Sequence, residues 1–377
     1  MPDRFLHIIS FDIPYPPNYG GVIDVFYKIR ELHRKGIRIF LHCFEYPGRD
    51  RRSELDTYCE KVYYYPRRVG LQSALSIKPY IVSSRRSDQL LKNLLNDTHP
   101  ILFEGLHSCY YIDDPRLKNR FKIYRESNIE HRYYYNLFRV EKGIFSRFYF
   151  LMASLKLRLY QKVLRHANLM LVVSQEDTAY LQQHFRGKKV EYLPSFHANN
   201  ALNPNPGKGD YALYNGNIEV AENAHAVSYL IREVFSKTQI PFKVAGMNPP
   251  QHIRDLIKNT DGVTLIENPD DDTMFDLIRN AHVNILVTFQ ATGLKLKLLN
   301  TLYKGRFCLV NDKMLNGTGL EDCCQTGNTP QELIDKLNQL FSKEFTESEI
   351  KKRENILNQR YSNDKNADQL IHLVFAK

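Results

Sequence analysis

Short apolar runs alternate with helical patterns along this chain, and halfway through the alternation starts again. RFLHIIS, IRIFLHCF, KVYYY, PILFEGL, FKIYRES, NLMLVVS and VEYLP read as strands, and helical patterns over 21–35, 87–96, 128–166 and 176–184 follow most of them. Strands that are apolar throughout are buried on both faces, the habit of a parallel sheet covered by helices. Around HANNALNPNPGKGDYALY the composition turns polar and rich in Asn, Pro and Gly, as linkers do. YALYNG, FKVAG, GVTLIE, HVNILVT and RFCLVN then read as strands, with helices over 221–237, 250–259, 271–280 and 294–304, and further helices from Pro330 onward. At 377 residues the chain exceeds one ordinary core. The expectation is an α/β protein of two Rossmann-like, doubly wound domains facing a central cleft. Their spans are 1–198 and 199–359, and a C-terminal helix at about 360–377 packs back on the first.

Charge narrows the partners. The net charge is +10, which suits an anionic ligand: nucleic acid, a phosphate-rich substrate or an acidic membrane surface. Six cysteines are scattered without CxxC or zinc spacing and read as reduced thiols of a cytoplasmic protein. The first ten residues lack a signal-peptide layout. The most apolar stretch, IFSRFYFLMASLKLRLY, is cut by Arg147, Lys156 and Arg158. No stretch reaches the roughly 20 apolar residues of a membrane span.

In doubly wound sheets ligands bind beyond the carboxyl ends of the strands, at helix N-termini. Gly20 and Gly21 open a helix after the proline-rich loop DIPYPPNY, where unpaired N–H groups can meet an anion or a sugar. A plain turn with a glycine entry explains them as well, and no GxGxxG supports a dinucleotide site. In ATGLKLKLLNTLYKG, Gly293 precedes a helix start that carries Lys295 and Lys297. A cation there costs a helix about 0.3–1 kcal/mol, so either a bound diphosphate or simple solvation must account for the lysines. Gly216, Asn217 and Gly246 end two strands of the second half, and His107 and His131 each follow a strand of the first. The histidines form neither a triad nor a metal pattern.

Six stretches in order resemble the GT-B glycosyltransferases, family 4 of the retaining enzymes. They are PYPPNYGGVIDVFYKIRELHRKGIRIFLHCF, RESNIEHRYY (Ser127 where that family has a first His), VSQED, YNGNIEVAENAHAVSYL, VAGMNPP and TGLKLKLLNTLYKG. The resemblance implies transfer of a sugar from a nucleotide-sugar donor, with retention, without a metal and without a cofactor. The donor would sit mainly on the second domain and a glycan or lipid-linked acceptor on the first. Lys295, Lys297 and the Gly293–Leu294 backbone would hold the diphosphate, and His107, with His131 second, would place the reacting sugar. Gly20 and Gly21 would touch donor phosphates or acceptor. Thr292 and Asn300 stand where the family often has acidic residues, and Asn300 would then hydrogen-bond the donor ribose more weakly than a carboxylate. Asn217, Glu219 and Asn223 occupy a region where the family often has an Arg and a Lys.

The segment 128–166 carries eight Lys/Arg against two Glu, interleaved with aromatics. That composition suits the anionic inner face of a membrane. Single-stranded nucleic acid uses similar chemistry, and a helix pair with solvated cations also fits. The reading taken is a glycosyltransferase of cell-surface polysaccharide or glycolipid synthesis, cytoplasmic or peripheral on the inner membrane. Its rivals are an inactive relative acting as a binding subunit and a nucleotide-sugar epimerase of the same fold.

Overall fold

The computed structural model describes residues 4–376 except 47, 75, 142 and 290–295. The described residues divide into two compact units. One takes residues up to His197 together with the segment from Asn363; the other takes those from Ala198 to Ser362.

The first unit is built on strands β1 (Arg4–Ile9), β2 (Ile37–Glu45), β3 (Lys61–Pro66), β4 (Ile101–Glu104), β5 (Lys122–Glu126), β6 (Leu169–Val172) and β7 (Lys189–Tyr192). They lie in the order β3-β2-β1-β4-β5-β6-β7, all parallel. The order reverses between β1 and β4, where Ile9 lies opposite Phe103. The loops leaving those two strands are therefore neighbours, and this is the switch point at which such sheets bind ligands.

Two buried layers flank this sheet. On one, helix Gly20–Arg34 buries Val22, Val25, Phe26, Ile29 and Leu32 at helical spacing. The C-terminal helix Asn363–Phe375 adds Ala367 and Leu370 to the same layer. The other takes Leu90, Leu91 and Leu94 of helix Asp88–Leu94, with Leu157 of helix Ile144–Tyr160. The helical pattern at 128–166 is two helices, Glu130–Val140 and Ile144–Tyr160, followed by a 3₁₀ segment Gln161–His166.

The second unit repeats the plan with β8 (Ala212–Asn217), β9 (Phe242–Met247), β10 (Val263–Glu267), β11 (Val283–Leu286), β12 (Phe307–Val310) and β13 (Gln325–Thr326). Their order is β10-β9-β8-β11-β12-β13, again parallel. Here the switch lies between β8 and β11. The segment expected as one helix over 221–237 is α-helical over Ala221–Tyr229, widens to a π turn at Leu230–Val234 and ends in a 3₁₀ turn. Helix Glu347–Arg360 starts with a capping box, Thr346 and Glu349 each satisfying the other's backbone N–H.

Candidate active site

At the switch point of the first sheet the proline-rich loop is held by side chains. Asp12 accepts from the Ile13 N–H at 2.7 Å and from the Tyr19 hydroxyl at 2.6 Å. Arg49 donates to the carbonyls of Ile13 (2.7 Å) and Pro16 (2.9 Å) and to Asn18 Oδ1 (2.8 Å). Buried Arg85 donates from Nε to the Phe11 carbonyl at 2.9 Å. Helix Gly20–Arg34 then begins with no side-chain cap and no acidic residue in its first turn. Helices Asp88–Leu94 and Gln175–His184, by contrast, are capped by Ser87 and Ser174. An uncapped start leaves N–H groups for a ligand or water.

Gly21 is not an open face. A Cβ there would lie 2.5 Å from Cζ of Phe11. The glycine lets the Phe11 ring lie against the helix start, and that ring stands 5.6 Å from the ring of His107. Gly21→Val is expected to keep the fold, because the free end of a side chain gives way. It should push Phe11 off His107 and lower turnover at least tenfold; unchanged turnover with a shifted Phe11 would remove the ring from the site.

Gly105 follows β4 with φ +69, in the left-handed region, and a Cβ on it would press to 3.2 Å from Nδ1 of His107. His107 is 22% exposed, yet its Nδ1 is buried without a hydrogen-bond partner, 3.8 Å from Oε1 of Glu130. Burial, then the charges of Arg85 and Arg67, hold the imidazole well below its ordinary pKa, so it is neutral at physiological pH. Burial pushes the Glu130 carboxyl up to about 8 against the pull of Arg85. A neutral imidazole backed by a mostly protonated acid offers a hydrogen bond to a sugar hydroxyl.

His131, the second histidine expected here, faces other partners. Its Nδ1 bonds Gln161 Oε1 at 2.8 Å and its ring lies 6.1 Å from Tyr180. The signal for Glu130 was present in the same stretch, NIEHRYY. One position along a helix turns a side chain by about 100°, so 130 points inward where 131 does not.

Beneath this loop Asp24 and Lys28 of helix Gly20–Arg34 meet Glu104 of β4 and Arg125 of β5. Lys28 Nζ lies 2.9 Å from Asp24 and 2.7 Å from Glu104, and Arg125 Nη2 lies 3.1 Å from Asp24. Arg125 also donates to the carbonyls of Leu193 and Pro194, and Asp24 accepts from the Phe196 N–H at 2.7 Å. All four charged side chains are buried. Burial acts to raise the Asp24 carboxyl, but Arg125 and Lys28 prevail and hold it well below the carboxylate range.

In the second unit the C-terminal end of β8 meets helix Leu296–Lys304. Buried Tyr214 donates its hydroxyl to Asn223 Oδ1 at 3.0 Å. Lys297 Nζ donates to the same Oδ1 at 3.1 Å and to the Tyr214 oxygen at 3.3 Å, and sits 5.1 Å from the tyrosine ring centroid. The Asn223 amide is fixed by the Asn217 carbonyl at 2.8 Å. Lys297 and Asn300 are part-exposed while Leu296, Leu298 and Leu299 are buried, so the two polar residues share the accessible face. Asn300 Oδ1 accepts from Asn199 Nδ2 at 2.8 Å, which leaves its amide to donate. Thr288, after β11, is locked to Asn311 by hydrogen bonds of 3.1 and 2.7 Å, which sets where the next segment departs. Thr292, Gly293, Leu294 and Lys295 lie outside the described residues.

The two strand-end glycines differ. A Cβ on Gly246 would fall 1.9 Å from the Gly216 carbonyl oxygen, so Gly246 serves the close approach of β9 to β8. A Cβ on Gly216 would meet Asn223 at 3.6 Å, an ordinary contact, and Asn217 accepts from the Glu219 N–H. Tyr214 and Asn223 were not singled out as Lys297's partners, because a strand tyrosine reads as core and nothing local ties positions 214, 223 and 297 together. Among the described residues no group of three or more His, Cys, Asp or Glu is placed to hold a metal ion, and no helix is long and apolar enough to cross a membrane.

No protein-family model matches the chain. An uncharacterized 44.6 kDa protein in the cps region of Klebsiella pneumoniae is 25% identical over 338 residues, 83% of this chain and 84% of that one. Among solved structures, Alr3699/HepE of Anabaena, in complex with UDP and glucose, superposes with TM-score 0.66 at 11% identity over all of both chains. WaaG, a glycosyltransferase involved in lipopolysaccharide biosynthesis, gives 0.66 at 10% identity, covering 99% of this chain and 100% of that one. A glycosyltransferase from Rickettsia africae gives 0.67 at 10% identity over 99% and 98%. Identity this low speaks for architecture alone, and the architecture is that of these enzymes: two parallel sheets with interleaved helices, the GT-B glycosyltransferase fold.

Proposed function

We propose that the chain is a retaining glycosyltransferase of the family 4 type, which takes a sugar from a nucleoside-diphosphate sugar, UDP first among them, to a glycan or lipid-linked acceptor. The observation that carries this reading is Lys297, an ammonium held in advance by Tyr214 and Asn223 beside the end of β8. In the reaction the bond from the anomeric carbon to the diphosphate breaks and a bond to the acceptor oxygen forms. The acceptor's hydroxyl proton leaves with the diphosphate. Charge builds on that leaving group beyond the two negative charges the donor's diphosphate already carries, and a pre-oriented cation stabilises the transition state more than the ground state. Lys297 takes this part without a metal ion; Lys295, Gly293 and Leu294, to which the resemblance gives the same role, lie outside the described residues. His107, neutral and backed by Glu130, receives a hydroxyl of the sugar. A relative in a cps region and a neighbour involved in lipopolysaccharide biosynthesis are in keeping with cell-surface glycan synthesis at the inner membrane face, which the basic segment 128–166 would meet.

One observation favours a second reading, a non-catalytic binding subunit: one of the two lone pairs of the Asn300 oxygen is already engaged by Asn199. Thermal denaturation with UDP, GDP, ADP and their sugars separates the two. A ligand at 100 times its Kd stabilises the folded state by about 2.7 kcal/mol, so UDP is expected to raise Tm by several degrees. No shift with any nucleotide would sink the transferase reading.

A further inference from the structure

The outer surface of helices Glu130–Val140 and Ile144–Tyr160 is apolar to a degree unlike the rest of the described chain. Ten of the sixteen exposed large apolar side chains lie there, Phe145 90% and Ile144 77% exposed. Ile144, Phe148, Leu155 and Leu159 recur at helical spacing, so they form one stripe along the helix. A contiguous stripe of this kind marks an interaction surface, as scattered exposed leucines do not.

Leu155 and Leu159 also line a groove of about 970 Å³ shared with helix Gln175–His184. Arg132, Arg158 and Lys162 line it too, with His131 and His184 and with no carboxylate. Asp177, 4.0 Å from Arg132, stands outside the lining. Arg132 lies 4.1 Å from the Tyr180 ring centroid, which positions its guanidinium. After burial, Arg132 and Arg158 are among the causes that depress His131, a sign of the local positive field.

We propose that this groove takes the phosphate headgroup of a membrane lipid while the Ile144–Leu159 stripe lies in the acyl boundary of the bilayer. The proposal deepens the membrane part of the function proposed above and rests on it. Three cations against the single carboxylate of Asp177 leave a positive excess that calls for an anion, and the stripe that begins at the groove calls for hydrocarbon beside it. Soluble phosphate would satisfy the cations and leave the stripe bare. A single-stranded nucleic acid could stack on the exposed Phe145, Phe148 and Tyr149 but would leave Ile144, Leu155 and Leu159 bare in water.

Sedimentation of the full chain with phosphatidylcholine vesicles, with and without phosphatidylglycerol, is the test. Partitioning is expected on the anionic vesicles and at least tenfold less on phosphatidylcholine alone. Arg158→Glu with Lys162→Glu should lower it tenfold or more, and so should Phe145→Ser with Phe148→Ser. UDP-induced stabilisation, measured on the same variants, should be unchanged, so that loss of vesicle binding and loss of the donor site are told apart. The idea is overturned if wild type ignores anionic vesicles, or if either pair of substitutions leaves partitioning intact. It is likewise overturned if millimolar inorganic phosphate, or a single-stranded oligonucleotide, binds the groove while the Phe variants behave as wild type on vesicles.

Discussion

Replacing Lys297 with alanine is expected to reduce sugar transfer by about 10²–10³, the cost of removing one pre-oriented electrostatic partner from a charge-developing site. Nucleoside-diphosphate binding should weaken with it. The size of the effect follows from how the ammonium is held: Asn223 and Tyr214 give it two hydrogen bonds and an aromatic face, so it does not reorganise when charge appears. Lys297→Arg keeps the charge but not the geometry, because a planar fork cannot reproduce a point donor between Asn223 Oδ1 and the tyrosine oxygen. It should retain binding better than turnover. Steady-state kinetics with calorimetry on UDP checks both, and an alanine variant with wild-type turnover would refute the phosphate role.

The second large effect is structural. Asp24→Ala leaves Lys28 and Arg125 buried with Glu104 as their remaining acid. Breaking a buried ion pair from one side costs about 3–5 kcal/mol. For a unit of this size that is a fall in Tm of roughly 6–20 °C. A carboxylate held below its ordinary range contributes stability above that range and loses it as pH falls through the lowered value. Asp24 should therefore still support the wild type at pH 5, and the gap between the two proteins should persist between pH 5 and 7. Melting curves within 2 °C of each other would show that Arg125's bonds to Leu193 and Pro194 suffice alone.

The sheets were legible because their strands are mostly apolar runs separated by helical periods. What escaped was short or polar. Gln325–Thr326 is a two-residue exposed strand with no pattern of its own, and the division of 128–166 into two helices leaves the run of basic and aromatic residues unbroken. Following each strand to its carboxyl end picks out Gly20, His107 and Lys297 as candidates. It could not tell glycines apart. Gly21 and Gly246 look like ligand-facing glycines on paper, yet the Phe11 ring and the Gly216 carbonyl fill the space beside them. Nor could it find Tyr214, or tie Asn223 to Lys297 and Glu130 to His107, because those pairings arise only when distant segments are brought within 4 Å.

The C-terminal helix Asn363–Phe375 belongs to the first unit, and this has a bearing on how the protein is made. Asn363 bonds both the N–H and the carbonyl of His197, Lys35 reaches Asp364 and Asp368, and Leu370 is buried beside the first strands. The second unit is read from one stretch of message and can close as soon as that stretch leaves the ribosome. The first unit, although begun earlier, lacks the helix Asn363–Phe375 until the whole second unit has been made. During elongation it waits with part of an apolar layer uncovered, so a chain truncated before Asn363 would leave its oldest part unfinished.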